Sequence, residues 1–291
     1  MTEPYSPLRY PGGKAKLADF LIEVIKANDL LQPHYIEPYA GGAGAALRLL
    51  FEEYVEAITI NDADPRIRCF WQATTLYNDA FLGLLQNVSV TVEEWHRQRV
   101  IYDKCDLRKV LELGFATFYL NRTSRSGIIH NGGPIGGFDQ TGNYLIDARF
   151  NREQLARRIQ RIGIYSDRIS VSDDDGLALL KKLNKRHVRA NTTFVYLDPP
   201  YYAKGPELYM NRFTDDQHGK LATYLKTQKN FQWIMTYDDV EAIRDLYEGF
   251  PQFSFNLQYS ACDHRKGQEL LIHPESVRIP DEAINVLPYV A

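Results

Sequence analysis

The chain has 291 residues, long enough for one large α/β domain or for such a domain carrying an inserted lobe. Its 44% hydrophobic and 24% charged content is that of an average globular protein and indicates neither a disordered chain nor a fibre, and no apolar run reaches the length of a membrane span. The net charge of −3 lacks the basic excess common in nucleic-acid-binding domains, so the distribution of charge matters more than its sum.

After Pro11-Gly12-Gly13, the residues Leu17, Phe20, Leu21, Val24 and Ile25 recur at helical spacing, so a helix is expected from near Lys14. His34-Tyr35-Ile36 then reads as a strand, Gly41-Gly42-Ala43-Gly44 as a turn, and Ala45 to Phe51 as a helix. A second strand over Ala57 to Ile60 ends in Asn61-Asp62, and this βαβ opening predicts a parallel sheet with helices on its faces. From about Val92 to Leu120 the periodicity is helical, whereas Asn121 to Asn143 is rich in Gly, Asn and Ser and shows no βα alternation. Alternation resumes with a strand over Arg168 to Ser172, a helix over Leu177 to Leu183 and a β-prone strand over Thr193 to Leu197. Later strands are expected at Phe231 to Thr236, Phe253 to Gln258 and Leu270 to His273, with helices over Asp215 to Thr227 and Val240 to Tyr247. The simplest organisation is one sheet domain, residues 1–64 and 167–291, interrupted by an insertion over 65–166.

Cys69, Cys105 and Cys262 are widely spaced and form no CxxC pair, so neither a disulfide framework nor a zinc site is expected. The seven histidines show no ligand-like spacing, and no metal is expected. The first ten residues lack the basic and apolar regions of a signal peptide, which predicts a cytoplasmic protein without a membrane partner. Between Asn121 and Arg168, eight arginines face four acids. On charge alone, a solvated helix face carrying Arg157, Arg158 and Arg161 competes evenly with phosphate contact.

The strongest chemical signal is Asp198-Pro199-Pro200-Tyr201, directly after the apolar strand. Ligand chemistry in α/β sheets concentrates at the carboxyl ends of strands, and this is such an end. Two successive prolines lack N–H donors and stiffen the turn, which leaves carbonyl oxygens to face a substrate. A carboxylate is likewise an acceptor. Side by side they can hold both hydrogens of an exocyclic amine and turn its lone pair outward, while the Tyr201 ring offers a face for a base taken out of a duplex. A structural Pro-Pro turn capped by Asp is the competing reading of the isolated tetrapeptide.

Glu37-Pro38-Tyr39-Ala40-Gly41-Gly42-Ala43-Gly44 follows the first strand, where glycines permit close approach of a cofactor. A plain tight turn is the alternative, and neither this loop nor Gly12-Gly13-Lys14 fits the phosphate-loop pattern of a kinase. Asp62 closes the second strand, where nucleotide-binding sheets place an acid on ribose hydroxyls; its competing role is to cap the helix before Pro65. Among Asp173, Asp174 and Asp175 after the third strand, Asp175 is favoured for the adenine of a cofactor.

In this order, Leu8 to Lys14, Glu37 to Gly44, Asp62, Phe118-Tyr119-Leu120-Asn121-Arg122-Thr123 and Val195 to Tyr201 resemble the motifs of Dam-type (D12 class) N6-adenine-specific DNA methyltransferases. Phe213-Thr214-Asp215-Asp216-Gln217, Arg265-Lys266 and Glu269-Leu270-Leu271 are similar to further segments of that family, so the likeness spans about Leu8 to His273. The resemblance implies an α/β fold with a Rossmann-like class I methyltransferase sheet and an inserted, mainly helical target-recognition lobe. It implies double-stranded DNA as partner, a cognate restriction enzyme as a candidate partner, and S-adenosylmethionine as methyl donor. Tyr10, Lys14, Glu37, Tyr39, Gly41, Asp62, Asp175 and Asp198 would then hold the cofactor, and Asp198, Pro199, Pro200 and Tyr201 the target adenine. Arg9, Asn121, Arg122, Thr123 and Arg125 would lie at the DNA.

Two departures stand out. Ala43 occupies a place where many methyltransferases have glycine, which is tolerable where its backbone angles are ordinary. Ser126 to Phe138 does not reproduce the hairpin of GATC-reading members, so GATC recognition is not expected. The same acceptor pair would serve N4 of cytosine or adenine in RNA, and a catalytically silent DNA-binding relative is the rival of a different class.

Overall fold

Residues 4–9, 17–130, 132–185, 191–202, 213–258 and 266–287 are described in the computed structural model. Contacts divide the chain into two units: Met1–Gly13 with Asp64–Val171, and Lys14–Ala63 with Ser172–Ala291.

The second unit alternates strands and helices. Helix α1 (Ala18–Ala27), strand β1 (His34–Glu37), helix α2 (Gly44–Phe51) and strand β2 (Ala57–Asn61) precede the excursion into the other unit. That excursion carries α3 (Pro65–Leu76), α4 (Asn78–Asn87), α5 (Val92–Lys104), α6 (Val110–Thr123) and α7 (Arg152–Ile164). After β3 (Ile169–Ser172) come α8 (Gly176–Lys185), β4 (Thr193–Leu197), α9 (Asp215–Thr227) and β5 (Gln232–Asp238). Then follow α10 (Glu241–Leu246), β6 (Gln252–Gln258), β7 (Lys266–Ile272) and α11 (Asp281–Asn285). The expected helix start near Lys14 lies outside the described residues.

The seven strands run in the order β3-β2-β1-β4-β5-β7-β6. β1 pairs in parallel with β2 and with β4, and β4 in parallel with β5. β4 is buried along its whole length, as expected of an apolar strand covered on both faces. Val195 and Leu197 pack with Trp233 and Met235 of β5, with Leu180 of α8 and with Leu221 and Leu225 of α9. The strand order reverses between β1 and β4, which makes that boundary the topological switch point where open α/β sheets bind ligands. The parallel expectation is modified at one edge: β7 begins at Lys266 and runs antiparallel between β5 and β6. A hairpin return requires that direction, since parallel strands need a long crossover.

The helical unit is organised around α6, whose residues Leu113 to Leu120 are all buried. Gly114 permits the close approach of α3, because a β-carbon there would stand 2.5 Å from the Cys69 carbonyl oxygen. Phe70, Phe81, Phe115 and Phe118 meet with ring centroids between 5.2 and 6.1 Å apart. The helical stretch expected from Val92 to Leu120 is two helices, because Cys105 takes a left-handed conformation (φ 50°) and ends α5. The starts of α3 and α7 carry legible signals: Asp64 accepts from the Arg66 N–H ahead of Pro65, and Asn151 accepts from the Gln154 N–H.

Candidate active site

The carboxyl end of β1 carries Glu37, which is 5% exposed. Its Oε1 accepts from the Tyr35 hydroxyl at 2.9 Å and from the Ala46 N–H at 3.1 Å. Burial raises its pKa to about 8, against the pull of these two hydrogen bonds, and the charge of Asp198 adds to the rise. A buried acid without a basic partner among the described residues is a site that a cationic group would stabilise.

The loop after Glu37 is fastened to the end of β2. The Ala40 N–H donates to the Asn61 carbonyl at 2.8 Å, Asn61 Nδ2 donates to the Pro38 carbonyl at 2.8 Å, and the Gly41 N–H donates to Asp62 Oδ2 at 2.9 Å. Gly41 has φ 49°, which glycine adopts readily. Ala43 also lies in the left-handed region, with φ 45° and ψ 34°, so its angles are not the ordinary ones an alanine prefers. Its N–H donates to the Ala40 carbonyl at 2.7 Å and its carbonyl accepts from Leu47, so the turn and the first bonds of α2 hold it there. The cap before Pro65 is Asp64, not Asp62, whose Oδ2 takes the Gly41 N–H of the loop.

Tyr39 lies edge to face with Phe213, with centroids 5.6 Å apart, and its ring fills the space beside Gly176 at the start of α8. Its hydroxyl is buried and has no hydrogen-bond partner among the described residues. Asp175 caps α8, its Oδ1 accepting from the N–H groups of Leu177 and Ala178 at 3.0 and 3.2 Å. Asp174 accepts from Lys182 Nζ at 2.5 Å and from the Ser172 hydroxyl at 3.1 Å. Thr214 and Gln217 form a capping box, which gives Phe213 to Gln217 a structural part at the start of α9.

Asp198 follows β4 and is half-buried, with Pro199 and Tyr201 buried. Its Oδ1 accepts from the Thr236 hydroxyl at 3.2 Å, and Thr236 shares a 2.7 Å hydrogen bond with the Tyr196 hydroxyl. The Tyr201 hydroxyl donates to Glu269 Oε1, and the Tyr202 N–H donates to Asp238 Oδ1 at 2.9 Å. Thr236, Asp238, Glu269 and Asn61 were not singled out for chemistry by sequence; the available signal is a polar or acidic residue inside an otherwise apolar strand. Tyr10 and Lys14 lie outside the described residues. Among the described residues no group of His, Cys, Asp and Glu could hold a metal ion.

D12 class N6 adenine-specific DNA methyltransferases, as a family, match residues 10–260. The chain belongs to this family. Over 82 residues it is 30% identical to the Type II methyltransferase M.CviBI of Paramecium bursaria Chlorella virus NC1A, a match covering 28% of this chain and 31% of that protein. The mostly parallel seven-stranded sheet is that of a Rossmann-like methyltransferase.

In the helical unit of this D12-class chain, Asn121 and Thr123 are 2% and 0% exposed. Asn121 Oδ1 accepts from the Arg9 N–H at 2.7 Å, and its Nδ2 donates to the carbonyls of Arg9 and Gly127 at 2.8 and 3.1 Å. Thr123 donates to the Tyr119 carbonyl at 2.7 Å. Gly127 has φ 74°, and a β-carbon there would lie 2.7 Å from the Arg9 carbonyl oxygen. These residues therefore fix the backbone at Arg9, whose Nη1 donates to the Ser124 carbonyl at 3.1 Å.

Arg122 donates through Nε to the Arg149 carbonyl at 2.8 Å. Burial lowers its pKa to about 9, and the charges acting on it, those of Arg158, Arg9 and Arg149, are all positive. Arg125 is exposed. The solvated-face reading holds for Arg157, which pairs with Glu153 at 2.6 Å on α7, and Arg152 is spent on the carbonyls of Leu85 and Val88. Among the described residues no helix is long and apolar enough to cross a membrane.

Proposed function

We propose that this chain transfers a methyl group from S-adenosylmethionine to the N6 amine of adenine in double-stranded DNA. The observation that carries the reading is Asp198-Pro199-Pro200-Tyr201 at the carboxyl end of β4, next to β1 at the switch point of the sheet. The Asp198 carboxylate and the Pro199 carbonyl accept the two amine hydrogens, and Tyr201 stacks on the flipped base. These hydrogen bonds strengthen as positive charge develops on nitrogen, so catalysis rests on positioning and electrostatics rather than on a covalent enzyme intermediate.

The cofactor supplies an electrophilic methyl group on a cationic sulfur. Glu37, buried and without a basic partner among the described residues, and Tyr39, whose hydroxyl has no hydrogen-bond partner among them, fit a cation carrying polar groups. Gly41, Asp62, Asp175 and Asp198 complete the proposed binding set among the described residues, with Tyr10 and Lys14 as further members outside them. Residues 1–64 and 167–291 are proposed as the catalytic domain and 65–166 as the target-recognition lobe. On the DNA side, Arg9, Arg122 and Arg125 are the proposed contacts, supported from within by Asn121 and Thr123. The Type II methyltransferase relative supports a restriction-modification setting; a cytoplasmic location and a cognate restriction enzyme as partner are proposed with it.

Asp198→Ala is the direct test. Methyl incorporation into duplex DNA is expected to fall at least about a thousandfold, as when a positioned acceptor is lost, while duplex binding persists. Mass spectrometry of the digested DNA should show N6-methyladenine for the unaltered protein; N4-methylcytosine in its place, or full activity of the variant, overturns the reading.

A further inference from the structure

The turn at residues 198–202 is held at three points from strands β5 and β7. Thr236 of β5 donates to Asp198, Asp238 of β5 accepts from the Tyr202 N–H, and Glu269 of β7 accepts from the Tyr201 hydroxyl. Thr236 is fully buried and Glu269 is 1% exposed, so both are polar groups kept inside the protein at a desolvation cost. Asp238 and Glu269 are directly paired in the antiparallel register of β5 and β7. The edge hairpin that breaks the parallel pattern is what delivers Glu269 to this place.

The contacts of Thr236 and Glu269 constrain different parts of the acceptor site. The Thr236 hydroxyl occupies Asp198 Oδ1 and fixes the rotation of the carboxylate, so that Oδ2 takes a defined direction. The Thr236 hydroxyl is itself oriented by the Tyr196 hydroxyl at 2.7 Å. Glu269 anchors the far end of the Tyr201 side chain, which sets the plane of the ring. A single ångström of misplacement at such a site can cost about a hundredfold in rate.

We propose that Thr236 and Glu269 are positioning residues for methyl transfer, Thr236 aiming the Asp198 carboxylate and Glu269 setting the Tyr201 ring. The inference rests on the proposed function. It adds that the rate depends on hydroxyl and carboxylate groups that touch neither the amine nor the cofactor.

The test compares Thr236→Val with Thr236→Ser, and Glu269→Ala with Glu269→Gln, alone and combined with Tyr201→Phe. Methyl incorporation from tritiated S-adenosylmethionine into unmethylated genomic DNA gives kcat, calorimetry gives cofactor affinity, and thermal melting checks folding. Thr236→Val is expected to lower kcat about thirtyfold with cofactor Kd within about threefold, and Thr236→Ser, which keeps the hydroxyl, to stay within about threefold of the unaltered protein. Glu269→Ala and Tyr201→Phe are each expected to lower kcat about tenfold, and the double variant to be no slower than Tyr201→Phe alone. Glu269→Gln retains an acceptor and is expected to stay within about threefold.

Unchanged kcat in Thr236→Val, equal impairment of Thr236→Ser and Thr236→Val, or multiplying effects of Glu269→Ala and Tyr201→Phe overturn the proposal. If Glu269→Ala melts below the assay temperature, the remaining variants decide: full activity of Tyr201→Phe or a tenfold loss in Glu269→Gln overturns it. The unaltered protein is the control for the underlying reading. Its failure to methylate sinks the proposed function, whereas active protein with additive variants sinks this inference alone.

Discussion

Glu37 shows how a single side chain ties the fold to its proposed cofactor. Burial raises its pKa from an ordinary 4.5 to about 8, so the folded protein favours the protonated acid. That contribution to stability is complete below about pH 4.5 and is lost as the pH rises through about 8, because the unfolded chain ionises more easily. Glu37→Gln should therefore flatten the loss of stability across this window in denaturation curves. A bound cation beside Glu37 would favour the carboxylate, so cofactor binding at pH 7 is expected to release a proton. Calorimetry in buffers of different ionisation enthalpy measures that release; the same proton count in Glu37→Gln would remove Glu37 from the cofactor side. Ala43 is the other residue of note here, since its left-handed conformation stores strain of about 1–2 kcal/mol beside the same loop.

At the scale of elements, the start of α8 and the loop after β1 are shaped to one another. A β-carbon on Gly176 would lie 2.5 Å from Cε1 and 2.6 Å from Cζ of Tyr39. The ring is packed against Phe213 and can yield only by moving. Gly176→Ala is thus expected to cost about 1–3 kcal/mol in stability, the range for overpacking, despite the better helix propensity of alanine. It should also weaken S-adenosylmethionine binding, and an unchanged cofactor Kd would show that Tyr39 takes no part in holding it. Much of this scale was legible: β4 and α9 have the expected bounds, because a continuous apolar run and a capping box are local signals. The split between α5 and α6 and the start of β7 at Lys266 were not, since neither a left-handed cysteine nor a hairpin register leaves a periodic trace.

For the whole molecule, a net charge of −3 has to be reconciled with a polyanionic partner. Arg9, Arg122 and Arg125 are proposed to do so locally, with Arg149 beside them: the charges of Arg158, Arg9 and Arg149 act on Arg122, and main-chain carbonyls hold Arg9 and Arg122. Each phosphate neutralised by an arginine releases condensed counterions. Arg149→Ala and Arg125→Ala are each expected to reduce the slope of log affinity against log salt by about 0.9, with similar weakening on unrelated duplexes. An unchanged slope would exclude that arginine from phosphate contact. The sequence by itself determined the βα alternation, the apolar strand leading to Asp198 and the order of motifs that marks the family, because these rest on neighbouring residues. Only the tertiary structure decided that β1 and β4 meet at the reversal of strand order, and that Thr236 and Glu269 reach the Asp198 turn. It also showed that Asn121 turns inward to hold Arg9. The three side-chain hydrogen bonds join residues 38 to 112 positions apart, and the β1–β4 pairing joins residues still farther apart; all are created by sheet register and helix packing.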